Sequence, residues 1–163
     1  MRQLFEYWKV ILFFLSVIII IVALIAEYFF NLAPCEMCLK QRHPYYIIII
    51  CISLSYFIKK FQNIWLYIII EISLFYGIFY AIWHVGIEQK LIKGPSGCSG
   101  QLSPTDSIEN LKKQILNQDL VNCSEISWSI FGVSAASINS ILILSILIFN
   151  TIYIINNYGQ KKN

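Results

Sequence analysis

The chain has 163 residues, a length typical of one domain. Apolar residues make up 58% of it and charged residues only 13%, which is too little charge to cover a soluble globule of this size. The net charge of +3 comes from lysines and arginines scattered at the ends of apolar segments, a distribution that argues against a nucleic-acid-binding stripe. The composition therefore indicates an integral membrane protein that contacts lipid and no nucleic acid.

Four apolar segments are candidate membrane spans. Residues 10–30 can cross a hydrocarbon core of about 30 Å at a rise of about 1.5 Å per residue. Their length and the lack of a small-residue cleavage motif after them argue against a signal peptide. The other candidates are residues 44–58, 61–83 and 131–155. The sequence therefore predicts an all-α membrane protein, in which residues 1–163 form a single four-helix transmembrane bundle.

The distribution of Lys and Arg predicts the orientation. Four spans place both termini on one side, where the basic residues lie in short segments close to the span ends. The positive-inside rule therefore places both termini in the cytoplasm, with residues 31–43 and 84–130 as outer loops. Within the second loop, residues 103–121 combine a capping-box-like Asp106 and Glu109 with apolar residues on one helical face. They predict a short amphipathic helix, which lies either on the membrane surface or against the loop's own residues.

Four of the five cysteines lie outside the apolar segments. Cys35 and Cys38 form a C-x-x-C motif in the first outer loop, and Cys98 and Cys123 flank the predicted amphipathic helix. Disulfides are expected there if the outer side is the periplasm. A zinc site is disfavoured by the long separation of Cys98 from Cys123, and a purely structural role is disfavoured because a C-x-x-C bridge constrains little chain entropy. The pattern favours thiol–disulfide chemistry without a metal, whereas Cys51, among isoleucines inside a span, is interpreted as structural.

Arg42 follows Cys38 by four residues, so both side chains share one face if the second helix begins near the motif. A permanent cation and a helix N-terminus both stabilise a thiolate. An arginine at the head of a span can also serve only as a headgroup anchor, and that alternative stays open. Pro44 is expected in the first turn of the same helix, where its missing N–H costs little.

Several motifs together resemble the bacterial disulfide bond formation protein B (DsbB) family over nearly the whole chain. They are PCEMCLKQR at 34–42, HVGIEQ at 84–89, GPSGCSG at 94–100 and CSEISWSIFGVSAASIN at 123–139. The C-x-x-C motif alone is weak, but the combination is specific. The resemblance implies a quinone-dependent protein disulfide oxidoreductase of the bacterial inner membrane. Such an enzyme reoxidises a periplasmic thioredoxin-fold, DsbA-like oxidant and passes the electrons to ubiquinone or menaquinone.

The resemblance also implies roles for particular residues. Cys98 corresponds to the cysteine attacked by the reduced partner, and Cys123 to the cysteine paired with it. Cys35 and Cys38 correspond to the pair beside the quinone, with Cys38 as the thiolate, and Arg42 and His84 correspond to residues near the ring. We expect both cysteine pairs to be disulfide-bonded in the resting enzyme, which we take to be a monomer. A variant of the family with a dedicated partner is equally compatible.

Two other functions compete with this interpretation. One is a vitamin K epoxide reductase-like thiol oxidase, but in such proteins the C-x-x-C motif usually lies late in the chain. The other is a non-enzymatic, thiol-sensing membrane protein that needs no quinone.

Glu71, in the middle of the third span, is the one departure from the resemblance with a chemical consequence. An intramembrane acid suggests proton handling or a hydrogen bond to Ser16 or Asn139 of a neighbouring helix. Glu27 is expected at the membrane interface.

Overall fold

The computed structural model describes residues 7–57, 64–94, 123, 129–130 and 132–159. Four long helices dominate this part of the chain: α1 (Trp8–Phe29), α2 (Glu36–Phe57), α3 (Ile64–Glu88) and α4 (Ala135–Ile154), which Ile155–Gly159 continues as a π-helical turn. A two-residue antiparallel ladder directly precedes α4 and pairs β1 (Ser129–Ile130) with β2 (Val133–Ser134).

The helices pack as neighbours, with α3 against both α2 and α4, and α1 against α2. Leu12, Ile48, Leu74 and Ile143 meet in the core and are fully buried. Large apolar side chains such as Phe14 also cover the outward faces, as expected for helices surrounded by lipid. The structure therefore confirms an all-α membrane protein.

Three segments of the described chain are long and apolar enough to cross a membrane: Trp8–Phe29, Ile64–Glu88 and Ala135–Asn157. Helix α2 is not among them because its first two turns carry Glu36, Lys40 and Arg42. The fourth span, and with it the four-span bundle, stays a prediction. The amphipathic helix predicted at residues 103–121 lies outside the described residues.

Helices α2 and α3 extend beyond the predicted spans at one end of the bundle. Helix α2 begins at Glu36 rather than near residue 44, and α3 continues to Glu88 rather than ending near residue 83. Helical hydrogen bonding does not stop where the apolar residues stop, and an i,i+4 ion pair of 2.7 Å between Glu36 and Lys40 supports the first turn of α2. The C-x-x-C motif and His84 consequently lie on helix ends instead of in flexible loops.

Pro44 lies inside α2 and not in its first turn, so that expectation is wrong. The ring is accommodated by Gly77 of α3, where an added Cβ would lie only 2.5 Å from the Pro44 Cγ. Glycine is therefore required at this contact, because a methyl group there would push α2 and α3 apart.

The ends of α3 and α4 are joined next to the C-x-x-C motif. The Ser134 hydroxyl caps α4 by accepting a hydrogen bond from the Ser137 amide at 3.2 Å. The same hydroxyl donates to Glu88 Oε2 at 2.5 Å. The start of α2, the end of α3 and the start of α4 thus converge at one end of the bundle.

Candidate thiol-redox site

Cys35 and Cys38 form a close pair of free thiols at this end of the bundle. Their sulfurs lie 3.2 Å apart. Cys35 is buried and Cys38 is half-buried. The expected disulfide between them is wrong for this structure, which shows the pair in its reduced form. The short distance means that the bond can form without movement of the helix.

Cys35 has the surroundings of a stabilised thiolate. It occupies the N-cap position of α2, and the Cys38 amide donates to its sulfur at 3.4 Å. The hydrogen bond with the Cys38 side chain is the largest cause that lowers the pKa of Cys35, and His84 lowers it further. Together they outweigh the opposing effect of burial and bring the pKa of Cys35 to about 4.

These contacts favour the thiolate on Cys35 instead of on Cys38, where the sequence placed it. The difference follows from the start of α2. Because the helix begins at Glu36, Cys35 stands just outside it and receives the helix N-terminus, whereas Cys38 lies within the first turn.

His84 lies beside Cys35. Its Nε2 atom is 3.5 Å from the Cys35 sulfur and 3.9 Å from Glu88 Oε1, and its Nδ1 atom is 2.9 Å from Gln41 Nε2. The side chain is only 3% exposed. The structure thus places His84 in contact with a cysteine, and its expected position near a quinone ring stays a prediction.

Cys123 is brought to the same place from a distant part of the sequence. It is 1% exposed and disulfide-bonded. The sulfurs of Cys35 and Cys123 and a ring nitrogen of His84 all lie within 4.8 Å of one another. A sulfur in a disulfide offers no thiolate for metal coordination, so in this state the arrangement suits disulfide exchange better than metal binding. Cys98 lies outside the described residues.

An apolar cavity of about 400 Å³ opens on the other side of Cys38. Aliphatic side chains of α1 and α4 form most of its wall, and the connection between α1 and α2 closes one end. Its lining comprises Leu15, Ile18, Ile19, Val22, Ala23, Ala26, Leu32, Ala33, Pro34, Cys38, Gln41, Arg42, Tyr45, Ala135, Ala136, Ile138, Asn139 and Leu142. His84 is not part of this lining among the residues that the structure describes. Cys38 therefore faces the cavity, and His84 lies on the side of Cys35.

Arg42 lines the cavity next to Cys38 and is paired with Glu27 of α1. Its Nη1 atom lies 2.7 Å from Glu27 Oε2, and the two side chains are 13% and 24% exposed. Glu27, which the sequence placed at the interface without a role, thus holds the guanidinium at the cavity wall. The headgroup-anchor alternative for Arg42 stays open and is tested by substitution.

A chain of polar side chains connects the cavity to His84. The Tyr45 hydroxyl donates to Asn139 Oδ1 at 2.6 Å, and Asn139 Nδ2 donates to Gln41 Oε1 at 2.7 Å. Gln41 then contacts His84. Sequence reasoning missed these three residues, because isolated polar residues within apolar segments carry no motif, although QR in the PCEMCLKQR motif marked the position of Gln41.

Glu71 belongs to a separate polar cluster in another part of the bundle. Its carboxylate accepts hydrogen bonds from Asn150 Nδ2 at 2.5 Å and from the Thr151 hydroxyl, and Trp8 Nε1 donates to Asn150 Oδ1 at 3.3 Å. The expected partners Ser16 and Asn139 are wrong. This cluster ties α1, α3 and α4 together, which is a structural role.

The fold and site define a membrane protein with a closely spaced thiol pair, Cys35 and Cys38, which lies between Cys123 and an apolar cavity. The chain matches the family model described as "Disulfide bond formation protein DsbB" over residues 6–153, and it belongs to that family. A relative from Rickettsia prowazekii (strain Madrid E), "Uncharacterized protein RP370", is 28% identical over 150 residues, which cover 91% of this chain and 87% of the relative. No solved structure matches the chain.

Proposed function

We propose that this protein is a quinone-dependent thiol oxidase of the bacterial inner membrane that reoxidises a periplasmic thioredoxin-fold partner. It spans the membrane four times, with both termini in the cytoplasm. The observation that carries the proposal is the position of Cys35, within 4.8 Å of the Cys123 sulfur and 3.2 Å from Cys38, which lines the apolar cavity. Electrons from an outer cysteine pair that the partner has reduced can thus reach the cavity through adjacent sulfurs.

The exchange between the pairs needs only the four outer cysteines. We assign Cys98 as the disulfide partner of Cys123 and as the sulfur that the reduced soluble protein attacks. The partner leaves with the disulfide, and Cys98 and Cys123 become thiols. The Cys123 thiolate then attacks Cys35 in a Cys35–Cys38 disulfide and releases the Cys38 thiolate. Attack of the Cys98 thiolate on Cys123 releases the Cys35 thiolate, so two electrons have moved to the pair beside the cavity.

The low pKa of Cys35 favours this direction of transfer, because a sulfur with a low pKa is the better leaving group.

The cavity fits the head of a quinone. Its volume of about 400 Å³ lies in the range of small-molecule sites, about 300–1,000 Å³, and its wall is almost wholly apolar. Arg42 and Asn139 provide donors at that wall, and Cys38 lies next to them. A bound quinone, either ubiquinone or menaquinone, would supply the oxidising power by accepting two electrons and two protons. Arg42 and Cys38 are the residues we assign to its binding.

A cysteine trap tests the exchange path. In a Cys38→Ser, Cys98→Ser double variant, the two outer thiols that remain are Cys35 and Cys123. We expect them to form a disulfide on mild oxidation, detected as a linked peptide by mass spectrometry. A further Cys51→Ser change should not alter this result, because Cys51 lies in the core of the bundle. If Cys35 and Cys123 stay fully alkylatable after oxidation, the path is wrong.

A thiol-sensing protein would form the same linked peptide, so the trap must be combined with turnover. The single variant Cys38→Ser should also abolish quinone-dependent oxidation of the partner. If this variant retains turnover, Cys38 does not carry electrons to the cavity.

A further inference from the structure

Gln41 of α2 is a buried polar side chain that contacts polar side chains of two other helices. It is 4% exposed, and its amide contacts two other helices: Nε2 lies 2.9 Å from His84 Nδ1 in α3, and Oε1 accepts from Asn139 Nδ2 at 2.7 Å in α4. A buried amide is costly unless both of its ends are hydrogen-bonded. Both ends of Gln41 are engaged, and one engages a histidine beside the redox pair.

The direction of the hydrogen bonds from Tyr45 through Asn139 to Gln41 determines which ring nitrogen of His84 carries the proton. The Tyr45 hydroxyl donates to the carbonyl of Asn139, so the Asn139 amide donates to the carbonyl of Gln41. The NH₂ group of Gln41 then faces His84 Nδ1, which must accept. A neutral imidazole that accepts at Nδ1 carries its proton on Nε2. Nε2 is the atom 3.5 Å from the Cys35 sulfur.

We propose that Gln41 is a positioning residue that, with Asn139 and Tyr45, holds His84 in the Nε2–H tautomer that donates to the Cys35 sulfur. The Cys35 thiolate is thereby stabilised as the leaving group of disulfide exchange. This role in exchange rests on the oxidase function proposed above, whereas the tautomer and the thiolate can be measured without it.

Three other groups lie near Cys35 among the residues that the structure describes. Cys38 contributes from α2, and the disulfide-bonded Cys123 does not titrate. Glu88 on α3 lies 3.9 Å from His84 Nε2 and offers the Nε2–H group a competing acceptor. Without Gln41, the imidazole proton is free to move to Nδ1, and Nε2 would then present a lone pair to the sulfur.

The experiment uses the full chain in detergent, with Cys35 and Cys38 reduced and the disulfide of Cys123 retained. The alkylation rate of Cys35 is measured against pH by mass spectrometry, and the tautomers of the two histidines are read from their ¹⁵N shifts. We expect Nε2–H for His84. Gln41→Leu should raise the midpoint of the Cys35 profile by about one pH unit, which slows alkylation about tenfold below the midpoint. Gln41→Glu should not raise it, because a carboxylate there accepts from the Nδ1–H of a doubly protonated imidazolium, in which Nε2–H still donates to the sulfur.

Two tyrosine variants provide a matched comparison. Tyr45→Phe removes the first donor of the chain and should raise the midpoint by less than Gln41→Leu. Tyr76→Phe is the same change next to the exposed His43, 3.4 Å from its Nδ1, and should leave Cys35 unchanged. If Gln41→Leu does not fold, the proposal is tested by the Cys35 midpoint in Tyr45→Phe and by the His84 tautomer in the wild-type ¹⁵N spectrum.

Three outcomes would overturn the proposal. They are an Nδ1–H tautomer of His84 in the wild-type protein, an unchanged midpoint in Gln41→Leu, and a midpoint that responds to Glu88→Gln but not to the Gln41 variants. None of these measurements uses a quinone or a partner protein. A protein that lacks quinone-dependent turnover but has the expected Cys35 profile would therefore count against the oxidase proposal alone.

Discussion

Substitution of Arg42 by alanine should weaken the use of quinone by this protein. The guanidinium is the strongest donor on the wall of an otherwise apolar cavity, and Glu27 holds it there at 2.7 Å. A hydrogen bond from a charged donor contributes about 1.5–3 kcal/mol. A free-energy change of about 1.4 kcal/mol corresponds to a tenfold change in affinity. Loss of this hydrogen bond should therefore raise the half-saturating quinone concentration about 10- to 100-fold. Arg42→Lys should recover part of this loss, since it keeps the charge without the planar fork.

The assay is oxidation of a reduced thioredoxin-fold partner over a range of quinone concentrations. Lys40→Ala is the matched control, because Lys40 is a nearby cation that pairs with Glu36 and does not line the cavity. The Arg42→Ala, Glu27→Gln double variant removes the unpaired carboxylate and separates its effect from loss of the guanidinium. An unchanged half-saturating concentration in Arg42→Ala would show that Arg42 is only an anchor in the headgroups.

Three further predictions concern other parts of the chain. Cys98→Ser should abolish oxidation of the partner while Cys35 and Cys38 are still oxidised by quinone; full turnover in this variant would remove Cys98 as the entry point. Gly77→Ala should lower the free energy of unfolding by about 1–3 kcal/mol through its clash with Pro44, measured by denaturation in detergent, and unchanged stability would contradict the close contact. The hydrogen bond with Cys38 and the contact with His84 lower the pKa of Cys35 in the folded protein below its unfolded value of about 8.5. The stabilisation from the thiolate is therefore complete above the unfolded pKa and is lost as pH falls through the lowered pKa. The Tm difference between the reduced wild type and Cys35→Ser should therefore shrink from pH 8 to pH 4, and a difference that grows would contradict the thiolate.

The sequence predicted the class of fold because hydropathy reports directly on burial in lipid. It was less informative about helix ends. Polar residues such as Glu36 and His84 can continue a helix beyond the hydrocarbon, so α2 and α3 extend further than their apolar segments. The earlier start of α2 places the helix N-terminus beside Cys35, whose contacts favour a thiolate there.

Local spacing correctly marked the C-x-x-C motif, but contacts between distant segments could not be predicted from it. The pairing of Arg42 with Glu27 and the chain from Tyr45 through Asn139 to Gln41 join different helices. They depend on how the helices are rotated against one another, which no single segment encodes. Glu71 shows the same limit: an intramembrane acid was recognised as needing a partner, but its partners on α4 were not identified.

The central claim is that thiol electrons pass through this protein to a quinone. An anaerobic reaction of the purified protein with reduced partner and a measured amount of quinone tests it most directly, with quinol followed by absorbance and partner disulfides counted by alkylation. The account predicts one quinol for each disulfide formed in the presence of quinone. Without quinone it predicts at most two partner disulfides per protein, one for each of its own cysteine pairs. Continued oxidation of the partner without quinone, or quinol formation that does not depend on Cys38, would contradict it.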